Sequence, residues 1–270
     1  MVKLHTAYFL AHNGLGDNIT SIGAINFLSN YFETIYFLCK NIYANNVKLL
    51  LNQECVKIVP FDAKNEFDEC ANIITNAYNN DNTINVFIAG CHKNYLMSNI
   101  THCDLINYIQ HDKGYTIPYD FIKSFYYDIG LDLSIYYDYF NISSSVTSIK
   151  YYEAIKNYNI IFLHTLSSTM KVDLSNIINK YIYDTSYIMI CANTNVYPTD
   201  HEHYNISNTF VNIELAHYID VIKNAKEIHI IDSCFSAMVH PLQKTNKIRN
   251  DCLIKIYHRC DLEKEIRERK

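Results

Sequence analysis

Residues 4–31 read LHTAYFLAHNGLGDNITSIGAINFLSNY. The opening run, Leu4 to Ala11, is almost continuously apolar and ends at a glycine-bearing turn, which predicts a short strand covered on both faces. After the turn, Asp17 to Tyr31 predicts a helix. A strand, a tight turn and a helix form the first unit of a parallel α/β sheet, and the same rhythm continues along the chain. Further strands are predicted at Thr34 to Cys39, Val56 to Phe61 and Ile84 to Ala89, with helices at Ile42 to Asn52 and Phe67 to Asn79. The stretch Asn141 to Ser148, NISSSVTS, is polar and is read as a boundary separating residues 1–145 from 146–270. The rhythm then restarts: strands Ile160 to His164, Tyr187 to Ala192 and Glu227 to Ile231, helices Asp173 to Tyr183, Glu214 to Asn224 and Ser236 to Gln243. The fold class expected is α/β, two Rossmann-like parallel-sheet domains facing a cleft.

Composition narrows the function. The 270 residues are 49% hydrophobic and 19% charged, enough apolar surface for one large domain or two modest ones. Lys+Arg 23 against Asp+Glu 28 gives a net charge of -5, without the basic footprint that a nucleic acid partner needs. No transmembrane run and no cleavable leader are read in the sequence, so a cytoplasmic protein is expected. Nine cysteines without C-x-x-C spacing are read as reduced thiols.

Three loops fall where strands give way to helices. The first is His12-Asn13-Gly14-Leu15-Gly16-Asp17-Asn18. A dinucleotide cradle needs a small residue where Ile19 stands, and a carboxylate at Asp17 would repel a pyrophosphate. The loop glycines Gly14 and Gly16 therefore present a carboxylate, either as a functional group or as a helix cap worth ~1 kcal/mol. The second loop, Leu163 to Lys171, offers hydroxyls at Thr165, Ser167, Ser168 and Thr169 and the point charge of Lys171, a phosphate-binding set or an ordinary polar loop. The third, Asp232-Ser233-Cys234-Phe235-Ser236, runs into a helix whose amino end, placed at Ser236, suits an anion or is simply capped. Asp200-His201-Glu202-His203 is read as an exposed loop rather than a metal site, and no D-x-D pair occurs to hold a divalent ion.

Together, Gly16-Asp17 before the first helix, Leu163-His164 through Lys171, and Asp232 through Ser236 resemble the bacterial ADP-heptose:lipopolysaccharide heptosyltransferases, glycosyltransferases of GT-B fold. The chain departs from the family's usual pattern at Cys234 and Ala237. The resemblance implies transfer of a sugar from a nucleotide-diphosphate sugar donor to a saccharide acceptor hydroxyl, without metal or other cofactor. It implies Asp17 as catalytic base, Lys171, Ser233 and Ser236 around the donor phosphates, where the loop hydroxyls Thr165, Ser167 and Ser168 are expected to join them, and Glu202 on the donor nucleoside. Residues 1–145 would take the acceptor and 146–270 the donor, with closure about Asn141 to Ser148. A non-catalytic nucleotide- or sugar-binding protein and a nucleotide-sugar epimerase share the two-lobed shape and stay open at this point.

Overall fold

The computed structural model describes residues 3–11, 14–90, 121–168 and 170–258. The chain divides into two compact units, Met1–Asn141 and Ile142–Lys270, each built on a four-stranded parallel sheet. Among the described residues no helix is long and apolar enough to cross a membrane.

In the first unit, β1 (Leu4–Leu10), β2 (Phe32–Lys40), β3 (Val56–Phe61) and β4 (Asn85–Ile88) lie in the order β3-β2-β1-β4. The register sets Phe9 opposite both Phe37 and Phe87, so three aromatic rings line one face, Phe9 stacking on Phe37 at 5.6 Å. On the other face, Leu10, Leu38, Val86 and Ile88 pack with Cys70 and Ile74 of the helix Glu66–Asn80. Apolar groups on both faces are what two covering layers require, and they explain the unbroken apolar runs in the sequence.

The helix expected from Asp17 to Tyr31 is two helices, Leu15–Thr20 and Ile22–Leu28. Thr20 and Ser21 each turn a hydroxyl back onto a carbonyl four residues earlier, Gly16 and Asp17, at 3.0 Å, and Ser21 does so beside its regular N–H bond to the Asp17 carbonyl, a back-bonding that accompanies bends. Gly23 permits a close approach in the second of these helices: a Cβ there would stand 2.7 Å from the Ile135 carbonyl oxygen.

In the second unit, β5 (Asn159–His164), β6 (Tyr187–Cys191), β7 (Glu227–Ile231) and β8 (Leu253–Tyr257) lie in the order β6-β5-β7-β8. The outer edge of β6 is closed by side chains. Tyr197 Oη accepts from Met189 N–H at 2.9 Å and Ser207 Oγ donates to the Met189 carbonyl at 3.1 Å, which blunts an otherwise open strand edge.

The segment read as a polar connection is built into this unit. Ile142 is buried, and Ser144 and Ser148 donate hydroxyl hydrogen bonds of 2.5 and 2.6 Å to the buried carboxylate of Asp220. Ser145 caps a helix, Val146–Glu153, by accepting from Ser148 N–H at 3.0 Å. The two units meet in sequence at Asn141 and Ile142, ahead of the expected boundary after residue 145, and the hydroxyls that looked like linker residues serve a buried acid.

Candidate functional site

A parallel sheet opens a crevice outside the carboxyl ends of its strands where successive connections leave in opposite directions. In the first sheet that point lies between β1 and β4; in the second it lies between β5 and β7. The Gly14–Asp17 turn follows β1, the Thr165–Lys171 loop follows β5, and the Asp232–Ser236 turn follows β7. All three loops singled out in the sequence therefore stand at a switch point.

At the end of β1, Gly14 is the residue before the helix Leu15–Thr20, in extended backbone. Asp17 sits in the first turn and its Oδ2 accepts from the Gly14 N–H at 2.9 Å. Gly14 has to be glycine for this: an added Cβ would lie 2.6 Å from Asp17 Oδ2. Asp17 as a residue is half-buried, and this bond holds its carboxylate at the turn. His12 and Asn13 of this loop lie outside the described residues.

In the second unit the loop after β5 doubles back. Leu166 and Lys171 pair as an antiparallel bridge, and Ser167 N–H donates to the Met170 carbonyl at 2.8 Å. This returns Lys171 to the end of β5, where it is exposed and forms no ion pair among the described residues. Ser168 is exposed and Ser167 half-buried, while Thr169 lies outside the described residues.

The helix after β7 runs from Cys234 to Lys244, and its cap is Ser233 rather than Ser236. Ser233 Oγ accepts from Phe235 N–H at 3.2 Å, and Ser236 Oγ accepts from Ser233 N–H at 2.9 Å while donating to Asp232 Oδ1 at 2.6 Å. The first intrahelical bond runs from Ala237 N–H to the Ser233 carbonyl, and Ser233 Oγ takes the N–H groups of Phe235 and Ser236, which leaves Cys234 N–H without a helical acceptor. The two loops are joined by a residue that sequence spacing did not single out. His164, the last residue of β5, places Nδ1 3.2 Å from Ser233 Oγ, with its ring 4.7 Å from that of Phe235. Burial pushes the imidazole down to about 4, so it is neutral near pH 7.

No protein-family model matches the chain, and no curated protein matches it. Solved structures do. A glycosyl transferase family 9 structure from Veillonella parvula aligns with a TM-score of 0.57 at 11% identity, over 99% of this chain and 89% of its own. The E. coli ADP-heptose LPS heptosyltransferase II aligns at 0.55 and 11% identity, over 93% and 90%. E. coli heptosyltransferase WaaC with ADP aligns at 0.50 and 9% identity, over 98% and 97%. The chain has the heptosyltransferase fold. The resemblance drawn from the three loops thus holds for the fold of nearly the whole chain.

Two expected residues stand elsewhere than the heptosyltransferase-like reading placed them. Thr165 is buried, with its N–H donating to Asn193 Oδ1 at 2.9 Å and its hydroxyl accepting from Asn193 Nδ2 at 3.0 Å, so it ties β5 to the end of β6. Glu202 is exposed and distant from both loops. Its neighbour His201 bonds the Ile182 carbonyl at 2.8 Å, beyond the helix Ser175–Tyr181 and before β6 begins, which is the amino edge of the sheet. The chain after β6 folds back along the edge strand and carries Glu202 away. The surrounding cluster is not the exposed loop expected either: His203 is buried, edge-on to Tyr158 at 4.9 Å. The acid that topology returns to the carboxyl edge is Glu214. It starts the next helical stretch just after Asn212 N–H bonds the Ala192 carbonyl at 2.8 Å.

Proposed function

We propose that the chain is a glycosyltransferase that moves a sugar from a nucleotide-diphosphate sugar to a hydroxyl acceptor. The observation that carries this reading is the convergence of the β5 and β7 loops at one switch point, joined by His164 and Ser233. That arrangement offers a diphosphate the ammonium of Lys171, the hydroxyl of Ser168 and the helix amino end at Cys234, while the Ser167 hydroxyl is bonded to the Met170 backbone. Ser233 and Ser236 contribute by shaping the turn. A nucleoside diphosphate is the leaving product of such a reaction, and one solved structure of this fold holds ADP.

Asp17, in the first unit, is the proposed base. An acceptor hydroxyl attacks the anomeric carbon, its proton passes to the Asp17 carboxylate, and the bond from that carbon to the diphosphate oxygen breaks with its electron pair leaving on the phosphate. A positioned base contributes ~10²- to 10⁴-fold, and fixed positive charge on the leaving group contributes further. The charge is met by Lys171 and N–H groups, so the reaction needs no metal in this proposal.

A specific observation also favours a non-catalytic nucleotide-binding protein: the bond from Gly14 N–H to Asp17 is one that an ordinary helix start makes. One experiment separates the two. The protein is incubated with ADP-, UDP- and GDP-sugars and a set of saccharide acceptors, in Mg²⁺ and in EDTA, with nucleotide release and thermal shift both measured. Acceptor-dependent release that persists in EDTA is expected. A thermal shift with no release under any condition supports the binding protein, and release lost in EDTA and restored by Mn²⁺ overturns the metal-independent design.

A further inference from the structure

His164 and Ser233 are 69 positions apart in the chain, yet their side chains meet where the two loops of the second unit converge. The imidazole is 7% exposed and packs on Phe235, whose backbone N–H is the one that Ser233 Oγ accepts. A neutral imidazole carries one ring proton, and a hydroxyl has one proton and two lone pairs. Phe235 N–H takes one lone pair of Ser233 Oγ, which leaves two arrangements for the contact: the hydroxyl donates to Nδ1 with the ring proton on Nε2, or Nδ1–H donates to the second lone pair.

The neighbouring hydroxyl is committed as well. Ser236 Oγ accepts from Ser233 N–H and donates to Asp232 Oδ1. When the Ser233 hydroxyl donates to Nδ1, neither serine proton is aimed at a ligand. The polar groups left for an anion at this turn are then backbone N–H groups of the helix Cys234–Lys244 other than those of Phe235 and Ser236, which Ser233 Oγ holds. Their direction depends on the Ser233 rotamer, because that hydroxyl holds Phe235 N–H.

We propose that His164 is a positioning residue of the nucleotide site, whose Nδ1 holds the Ser233 hydroxyl so that the amino end of the helix Cys234–Lys244 is set against the β5 loop before the diphosphate arrives. This rests on the reading of these loops as the donor site. It assigns Ser233 a different part from a direct phosphate ligand: the serine is an intermediate between imidazole and helix.

The test uses the full chain and inorganic pyrophosphate, the group common to nucleoside diphosphates. Affinity is measured by calorimetry for wild type, His164→Asn, His164→Leu, Ser233→Ala and the His164→Leu/Ser233→Ala double variant. Asn presents an acceptor oxygen close to where Nδ1 stands, so His164→Asn should bind within about threefold of wild type. His164→Leu and Ser233→Ala should each bind roughly tenfold more weakly, the scale of one lost hydrogen bond to a turn. The double variant should be no weaker than the worse single one, because both remove the same contact. Imidazole ¹⁵N shifts should show Nδ1 unprotonated in wild type and changed in Ser233→Ala, a readout that general loosening of the fold does not imitate. If His164→Leu fails to fold, His164→Asn, Ser233→Ala and the ¹⁵N shifts still decide. Pyrophosphate binding by wild type with equal affinity in Ser233→Ala, multiplicative losses in the double variant, or a protonated Nδ1 would each overturn the inference. No pyrophosphate binding by wild type would instead overturn the donor-site reading on which it stands.

Discussion

Replacing Gly14 by Ala separates the placement of Asp17 from the stability of the fold. The Gly14 backbone, φ −85° and ψ 158°, is open to alanine, so the substitution brings no backbone strain. The conflict is with one group: the new Cβ would stand 2.6 Å from Asp17 Oδ2 and 3.5 Å from its Cγ. The end of a side chain can move, so the carboxylate swings away and gives up the 2.9 Å bond from Gly14 N–H. A charge-assisted hydrogen bond at a half-buried site stabilises by ~1.5 kcal/mol. Losing the flexibility of glycine in the unfolded chain returns ~0.5 kcal/mol. The net loss is about 1 kcal/mol, small in urea unfolding. Turnover should fall much further, at least ~10-fold, because a base displaced by about an ångström loses most of its advantage. The assay is urea unfolding beside nucleotide release. Wild-type turnover in Gly14→Ala, or a stability loss above ~3 kcal/mol, would refute the reasoning.

Three other outcomes are expected. Lys171→Ala should weaken nucleoside diphosphate binding by roughly 1 to 3 kcal/mol with little change in thermal stability, and equal affinities by calorimetry would move the phosphates elsewhere. Gly23→Ala should destabilise the first unit by roughly 2 kcal/mol, since its Cβ meets the Ile135 carbonyl oxygen at 2.7 Å and the Tyr126 hydroxyl at 2.8 Å, and the backbone cannot yield cheaply. The folded-state pKa of His164, about 4, lies below its unfolded value near 6.5, so the unfolded chain takes up a proton first as pH falls. His164 should therefore subtract stability progressively from about pH 6.5 down to about 4, by on the order of 3 kcal/mol in all, and His164→Asn should flatten that part of the stability profile in pH-dependent urea unfolding.

Much of the fold is legible in the sequence where burial is two-sided. Glu227–Ile231, buried from Ile228 to Ile231, is found to the residue because its run is bounded by polar turns, and the edge strand Val56–Phe61 is found as well although Lys57 and Pro60 are exposed. β8, Leu253–Tyr257, is an edge strand of the same kind, with Lys255 exposed between half-buried neighbours, and the reading does not single it out. The helix Val146–Glu153 escapes because its hydroxyls answer to Asp220, 72 positions beyond Ser148, and spacing cannot show that acid. The loops of the site are legible because each follows a strand; that two of them share a switch point depends on strand order, which periodicity does not encode. Glu202 shows the same limit, since its distance along the chain suits the ligand edge while its backbone has turned back along β6. His164 and Asn193 are legible only in three dimensions, as the ends of neighbouring strands whose side chains reach the next loop.

The most direct measurement is the turnover of Asp17→Asn beside its affinity for nucleoside diphosphate. Asparagine keeps an oxygen for the Gly14 N–H and nearly the same volume, so the turn after β1 is retained and only basicity is removed. Transfer should fall at least ~100-fold with nucleoside diphosphate affinity unchanged, because the base and the phosphate loops belong to different sheets. Transfer at the wild-type rate in Asp17→Asn would contradict the assignment of Asp17 as base.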